Sequence, residues 1–426
     1  MAASRPLRHT LAATSALLLA IAPAALPAQR PAFSPQRLAR IDSFMQSYVD
    51  GGRISGAVGL VLRDGKVVYE HAVGLADREA GRRMTVDAIF RIASQTKAIT
   101  SVAILQLVEQ RRIAITDPVS RFMPVFGMTT VAVGSDTGRA IVPATRPITI
   151  RDLLTHTSGI SYGTSPLVAP FYEAQGLGRA AGWGWYTADK NEPVCRTMER
   201  LASLPFVAQP GASWVYGYSI DVLGCIVERA SGQPLDEYVL KHITGPLGMR
   251  DTYFFLPPAK RRRLAAVYRT DSSGRAERAP NSPRGQGDYI EGSRKNFSGG
   301  AGIVSTAADY ARFLEAIRRG GALDGVRILS PHAVELMHTN MVGTLHSANG
   351  ELGFGLGFET VEKYGAKGLI SAGSFGWGGA YASMYEVDPS ERMVIVFMIQ
   401  QLPNGTDIAT QFPTLVYQAL VESARQ

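Results

Sequence analysis

Ser94-Gln95-Thr96-Lys97 follows Phe90-Arg91-Ile92-Ala93 and opens an apolar helical run, Ala98 to Val108. Residues three apart share one helical face, so this spacing brings a hydroxyl and an amine together. A serine hydroxyl is a poor nucleophile until a neighbouring base takes its proton, and a lysine amine can do so only when neutral. Burial and nearby positive charge favour the neutral amine, and a helix N-terminus favours negative charge developing on the serine oxygen. The spacing therefore has a mechanism: covalent catalysis with Ser94 as nucleophile and Lys97 in its proton relay. Taken alone it is a weak signal. Average Ser and Lys usage gives roughly one or two such tetrapeptides by chance in a chain this long, and Ser94 could equally be a helix N-cap.

Four further segments follow in order: Leu153-Leu154-Thr155-His156-Thr157-Ser158-Gly159-Ile160, Pro210-Gly211-Ala212-Ser213-Trp214-Val215-Tyr216, Gly299-Gly300-Ala301-Gly302-Ile303-Val304-Ser305-Thr306 and Phe375-Gly376-Trp377-Gly378-Gly379. Together with Phe90 to Lys97 they make the chain resemble the serine β-lactamase and penicillin-binding-protein superfamily over nearly its whole length after residue 28. The joint pattern is far more specific than any one tetrapeptide. The resemblance implies Ser94 and Lys97 as catalytic residues and a tyrosine as second catalytic element, where relatives carry Tyr-x-Asn and this chain has Tyr216-Gly217-Tyr218. The preceding Trp214-x-Tyr216 pattern favours Tyr216 over Tyr218 as general base. Tyr218 stands where many relatives place a substrate-binding amide. His156 falls in a segment that ends a helix in relatives, which implies a structural role.

The third element of that superfamily reads Lys-Thr-Gly or His-x-Gly, and here it reads Trp377-Gly378-Gly379. Glycines let a strand approach a substrate closely. The resemblance implies an oxyanion hole from the backbone N–H groups of Ser94 and Ala380, donors aimed at charge that develops in a tetrahedral intermediate. An indole brings no positive charge to hold a substrate carboxylate, and Trp-Gly-Gly is similar to the family VIII carboxylesterases. The expected function is thus a serine hydrolase working through a Ser94 acyl-enzyme on short to medium acyl esters. Two rivals stay open. One is a β-lactamase, D-alanyl-D-alanine carboxypeptidase or D-aminopeptidase, which would need another cation, Arg294 or Lys295 first. The other is a slow-turnover penicillin-binding or non-catalytic scaffold protein.

Other chemistries leave no trace. There is no His-Glu-x-x-His, P-loop, dinucleotide fingerprint or Gly-x-Ser-x-Gly elbow, and Cys195 and Cys225, the only cysteines, lack zinc-ligand spacing. No cofactor and no metal is expected. The two cysteines could pair, or Cys225 could be a buried thiol in its apolar run Val222 to Val227. The densest basic run, Lys260 to Arg263, continues through Arg269, Arg275, Arg278, Arg284 and Arg294 among Ser, Gly and Pro. Without interleaved aromatics on a defined motif this reads as a solvated loop, not a nucleic-acid surface. The expected partner is a small-molecule ester or amide substrate, with no nucleic acid.

The elements that must position these residues lie at both chain ends. With 426 residues, 46% hydrophobic and 19% charged, a large core is easily buried. Arg37 to Tyr48 has helical spacing, and Gly56 to Leu62 and Lys66 to Tyr69 flank Asp64-Gly65, a strong hairpin signal. Tyr381 to Val387 and Met393 to Ile399 predict a second hairpin around Asp388 to Arg392, and Phe412 to Ala424 a closing amphipathic helix. Helical patterns fill the middle: Ile150 to Leu154, Asp221 to Ala230, Leu235 to His242 and Ala307 to Arg318. The Gly- and Pro-rich stretches Phe126 to Pro147 and Tyr162 to Pro193 are long enough to rim a site, and Trp183, Trp185 and Tyr186 could wall it. The expected fold is α+β and β-lactamase/transpeptidase-like, an antiparallel sheet flanked by helices with an inserted all-helical lobe. It forms a single domain over 36–422, its sheet lobe about 36–93 and 296–422 and its helical lobe about 94–295.

The first segment reads as an address. Arg5 and Arg8 precede an apolar run, Leu11 to Ala25, and small residues at Pro27-Ala28 predict cleavage of a signal peptide, 1–28. The run is shorter than the ~20 apolar residues a spanning helix needs, so no stable membrane span is expected after its removal. Removal would lower the formal charge from +8 to +6, since only Arg5 and Arg8 leave. The expected location is periplasmic or secreted.

Overall fold

Every residue of β1 (Gly56–Arg63) is buried. Val58, Leu60 and Leu62 face one core while Ala57 and Val61 face another, the alternation of a central strand covered on both sides. The computed structural model describes residues 1–3, 32–135, 138–178 and 186–424. The signal-peptide segment beyond Ala3, with Trp183 and Trp185, lies outside the described residues. An Asp64-Gly65 turn, with φ of 54° and 76°, returns the chain into β2 (Lys66–Asp77), the two-residue hairpin the dipeptide predicts. β3 is Arg82–Arg83.

The other chain end supplies β4 (Leu352–Phe354), β5 (Glu359–Val361), β6 (Phe375–Gly378), β7 (Met384–Asp388) and β8 (Met393–Ile399). The eight strands form one sheet in the order β4-β5-β6-β7-β8-β1-β2-β3, antiparallel throughout. β8 pairs with β1 from Ala57↔Ile399 to Arg63↔Met393, so the two expected hairpins meet at the sheet centre.

The described residues include six helices of nine residues or more: α1 (Pro35–Asp50), α2 (Thr96–Glu109), α3 (Val194–Ala202), α4 (Ser219–Ser231), α5 (Ala307–Arg318) and α6 (Ile408–Ala419). Ile41 and Met45 of α1 join Phe412 and Val416 of α6 in a core against Ile395, Phe397 and Val61. The opposite face packs on α5 and α2. Thr96 to Leu107 of α2 are all buried, so α2 is enclosed on every side; it is mostly apolar, as such a helix must be, and its buried Lys97, Thr100 and Gln106 find hydrogen-bond partners.

Two details differ from the pattern-based expectation, and a third decides between two alternatives it left open. The segment between the sheet halves is not helical alone: Thr130–Ser135 pairs with Gly138–Pro143 and with Pro205–Phe206, turning the first Gly- and Pro-rich stretch into a β-ribbon. Leu264 to Ala279, expected in the helical lobe, hydrogen-bonds to the sheet side, Ala266 N to Ala76 O at 2.8 Å and Tyr268 N to Gln400 O at 2.8 Å. Its short strands (Tyr268–Thr270, Ala276–Arg278) escaped notice because charged residues interrupt them. Finally, Cys195 on α3 and Cys225 on α4 form a disulfide, which settles the open pairing. No helix among the described residues is long and apolar enough to cross a membrane.

Candidate active site

Ser94 sits in a short 3₁₀ turn (Ala93–Gln95) just ahead of α2. Ala93 before it is buried with φ of 44°, a conformation that costs a non-glycine residue of order 1 kcal/mol and tends to mark functional sites. The turn is held from below. Phe90–Arg91 pairs with Val304–Ser305, Ile92 N donates to Ile303 O at 3.1 Å and Ile303 N to Thr96 Oγ1 at 3.1 Å. Two of the separated sequence motifs thus form one small ribbon under the serine. No side chain caps α2, so the N-cap alternative for Ser94 lapses.

Lys97 Nζ lies 3.1 Å from Ser94 Oγ, 3.0 Å from Tyr162 Oη and 2.8 Å from Gly300 O. Three acceptors saturate the three donors of an ammonium. The Gly300 carbonyl is aimed by its own neighbour: Gly300 N donates to Asp221 Oδ1 at 3.1 Å, which also accepts from Ser298 Oγ at 2.6 Å. Complete burial pushes the Asp221 carboxyl up, against the pull of these donors and of Lys97. Tyr162 is a site residue the pattern reading missed. It stands two residues past Ile160, at the start of the second Gly- and Pro-rich stretch, so position was its only signal. Burial raises its phenol well above the ordinary value, which keeps it protonated.

Tyr216 packs differently. The Lys97 ammonium lies 4.6 Å from its ring centroid, and its hydroxyl accepts from Trp377 Nε1 at 3.0 Å. The Trp377 indole therefore supplies a donor to the second catalytic element. The His156 ring lies 4.7 Å from that of Tyr216, tilted by 47°, and its backbone carbonyl accepts from Val215 N at 2.7 Å. Burial, then Lys97, lowers its pKa well below the usual range, so it is a neutral ring that shapes the Tyr216 loop. Tyr218 is a correction: it is buried, donates to Leu177 O at 2.9 Å and meets Tyr162 edge-on at 4.8 Å. Its hydroxyl is consumed by that carbonyl, so it backs Tyr162 and does not face a substrate.

Ser94, Tyr162, Tyr216, Trp377, Gly378, Gly379 and Ala380 line one cavity of about 680 Å³, a volume that holds a drug-sized ligand. The tip of β6 approaches the nucleophile turn so closely that a Cβ on Gly379 would stand 2.6 Å from Ile92 O. No described residue of Phe126–Pro147 lines the cavity; among the described residues of the second stretch, only Tyr162 does. Tyr186 is buried, stacked 4.9 Å from Tyr289. Arg294 borders a different, smaller cavity and donates to Leu256 O and Ile290 O. The cation that lines the Ser94 cavity is Lys367, which carries no motif signal. Among the described residues no cluster of three metal-ligating side chains occurs.

A sheet-backed cleft with a serine and lysine on a buried helix start, two tyrosines and a Gly-rich strand tip defines a β-lactamase/transpeptidase-like α+β protein. The Beta-lactamase family model matches residues 41–417, and the chain belongs to that family. It is 35% identical over 376 residues to protein Rv1367c of Mycobacterium tuberculosis (83% of this chain, 88% of the relative). It is 34% identical over 382 residues to the esterase EstB of Burkholderia gladioli (86% and 91%). The solved structure of EstCE1, a hydrolase with promiscuous acyltransferase activity, superposes with TM-score 0.77 at 28% identity, covering 91% of this chain and 99% of that one.

Proposed function

We propose that this chain is a serine hydrolase acting on carboxylic esters of short to medium acyl groups through a Ser94 acyl-enzyme. The observation that carries the reading is the Trp377 Nε1 to Tyr216 Oη bond of 3.0 Å. It puts a neutral donor at the strand position where a carboxylate-binding cation would serve β-lactams or peptide C-termini. Similarity to EstB supports the same class.

In this reading Ser94 Oγ attacks the ester carbonyl as its proton passes to Tyr216 Oη and the phenolic proton of Tyr216 passes on to the departing alkoxide, with Lys97 aligning the serine; an alcohol leaves and an acyl-serine remains. Water then adds to the acyl carbon as its proton passes to Tyr216 Oη and the phenolic proton of Tyr216 returns to Ser94 Oγ, and the acid departs. The backbone N–H groups of Ser94 and Ala380 receive the oxyanion. Trp377 N–H donates to Tyr216 Oη and stabilises the partial negative charge that oxygen carries while it relays a proton. Tyr162, held neutral by burial, orients Lys97. Rates on p-nitrophenyl esters, nitrocefin and a D-Ala-D-Ala peptide test the class, and nitrocefin turnover faster than that of every ester would overturn it.

A second reading, acyl transfer to an alcohol in place of water, is favoured by the likeness to EstCE1; an ester product formed with added alcohol tests it. The chain is further proposed to be exported with removal of residues 1–28 and to work in the periplasm or outside the cell. The Arg-flanked apolar run and the Cys195–Cys225 disulfide, a bond at home in oxidising compartments, support this. A mature terminus near Gln29 on periplasmic protein tests it.

A further inference from the structure

Lys367 lines the cavity that holds Ser94, yet it takes no part in the proton relay. Its ammonium donates to Glu359 Oε1 at 3.1 Å and Glu386 Oε2 at 2.9 Å. Among the described residues the third N–H has no acceptor, and the side chain is 27% exposed. Glu359 also lines the cavity, and its other oxygen is held by His346 Nε2 at 2.9 Å. Behind them Glu386 is fully buried with Oε1 unpartnered among the described residues.

The sheet builds this cluster deliberately close. Glu359 pairs with Gly376, and Gly376 with Glu386, so the two carboxylates flank a glycine on one face of the sheet. A Cβ at Gly376 would stand 2.8 Å from Glu386 Oε2, so a larger residue there would push that carboxylate from its place beside Lys367. The charge arithmetic sets what the cluster can bind. Glu359 matches the ammonium before Glu386 is counted, so an arriving carboxylate finds no uncompensated cation and one further carboxylate behind. A neutral hydroxyl is complementary: it can accept the third N–H of Lys367 and donate to a spare lone pair of Glu359, since a carboxylate has about four acceptor sites.

We infer that Lys367 and Glu359 form a specificity subsite for a neutral hydroxyl carried on the substrate at a distance from the scissile ester. The inference rests on the ester-hydrolase reading and narrows it to hydroxylated esters. The reach follows from the strand: Gly376 lies three residues before Gly379, roughly 10 Å at about 3.3 Å per residue. An extended chain covers about 1.1–1.2 Å per bond, so a linear arm of about eight carbons spans the gap.

The test uses matched pairs on both sides of the ester. p-Nitrophenyl 8-hydroxyoctanoate against p-nitrophenyl octanoate probes the acyl side, and 8-hydroxyoctyl acetate against octyl acetate probes the alcohol side. Mono-p-nitrophenyl suberate and 8-acetoxyoctanoate are the anionic counterparts. In one series the wild-type chain should prefer the hydroxyl arm by about 10-fold in kcat/KM, the scale of one hydrogen bond to a charged donor. The gain should reside in KM, and the anionic arm should be the poorest. Lys367→Met should bring the hydroxyl preference close to unity, and Glu359→Gln, which leaves Lys367 matched by Glu386 alone and removes the excess negative charge, should raise the anionic arm several-fold. Lys367→Met with Glu386→Gln leaves no unpaired buried carboxylate and must give the same ratio should the single variant fold poorly. Equal treatment of hydroxyl and plain arms in both series, or a preference that survives loss of Lys367 in folded protein, overturns the subsite and leaves the esterase reading intact. No hydrolysis of any of these esters overturns both.

Discussion

Trp377→Phe separates the two things the indole does. The variant keeps an aromatic ring among Tyr216, Phe354, Trp214 and His346, whose centroids lie 5.3, 5.6, 6.1 and 6.3 Å away, and deletes only the N–H that Tyr216 Oη accepts at 3.0 Å. If Tyr216 Oη carries negative charge while it relays the serine proton, the lost bond is one to a charged group, worth about 1.5–3 kcal/mol. At 1.36 kcal/mol per decade that is on the order of 10- to 100-fold in kcat. A neutral Tyr216 that merely packs would lose about 0.5–1.5 kcal/mol, at most roughly 10-fold. Initial rates with p-nitrophenyl butyrate would measure the loss, with thermal melts to confirm the fold. The decisive arm is the cycle with Tyr216→Phe: once that hydroxyl is gone, Trp377→Phe should cost almost nothing more, because the two act as one unit. Full kcat in Trp377→Phe, or losses that multiply in the double variant, would refute the role assigned to both residues.

Other expectations follow from the same geometry. Ser94→Ala should abolish turnover and labelling by a serine-reactive phosphonate, and Lys97→Ala should cost roughly 10²-fold or more in kcat; labelling of another serine in the wild type would sink the assignment. Burial pushes the Asp152 carboxyl up, but the Arg146 guanidinium at 2.6 and 2.9 Å and the Thr149 donors together hold it below its ordinary value. Its stabilising share is therefore complete above about pH 4 and drains away as pH falls through the lowered folded value. The acid-side decline in Tm should be shallower in Asp152→Asn, by about 1–2 °C for about 1 kcal/mol in a chain of this size; parallel declines would contradict it. The Cys195–Cys225 bond closes a loop of 30 residues, worth about 3–4 kcal/mol on chain-entropy grounds. Cys195→Ser with Cys225→Ser should lower Tm by about 4 °C, and an unchanged melt would show the unfolded chain is not loosened.

What could be read from residue order was what depends on local pattern. The hairpins at Asp64-Gly65 and Asp388 to Arg392, the buried helix after Ser94 and the ordered motifs all express a turn residue or an apolar period, which neighbours in sequence suffice to declare. The final helix came out shifted, Ile408–Ala419 in place of Phe412 to Ala424. Pro413 lies inside it, and a proline six residues past Asp407 still allows the first turn to form ahead of it. Tyr162, Lys367 and Glu359 could not be read that way. Each matters for what stands opposite it, Tyr162 across from Lys97 and Lys367 between two strands, and no local period encodes a meeting of segments 65 or 19 residues apart. Tyr218 failed for the converse reason: its position matched a motif, but the Leu177 carbonyl 41 residues earlier claimed its hydroxyl.

The surroundings of Lys97 show why the chemistry must be a property of the assembled fold. Its three acceptors come from its own helix start, from the loop at Tyr162 and from Gly300, 203 residues away. The segment carrying Gly300 is fastened to the Ser94 turn by Ile303 and to α4 through Asp221. The disulfide in turn ties α4 to α3. Lys97 is held by acceptors on three separate segments, so the Ser94 hydroxyl has to be presented to it by its own turn, in which Ala93 takes a positive φ. Loosening any one segment would leave Lys97 with a partner missing before the sheet itself had opened. Activity is thus expected to fail ahead of global unfolding on heating, and a rate that persisted up to the calorimetric Tm would mean that this clamp is not what limits the site.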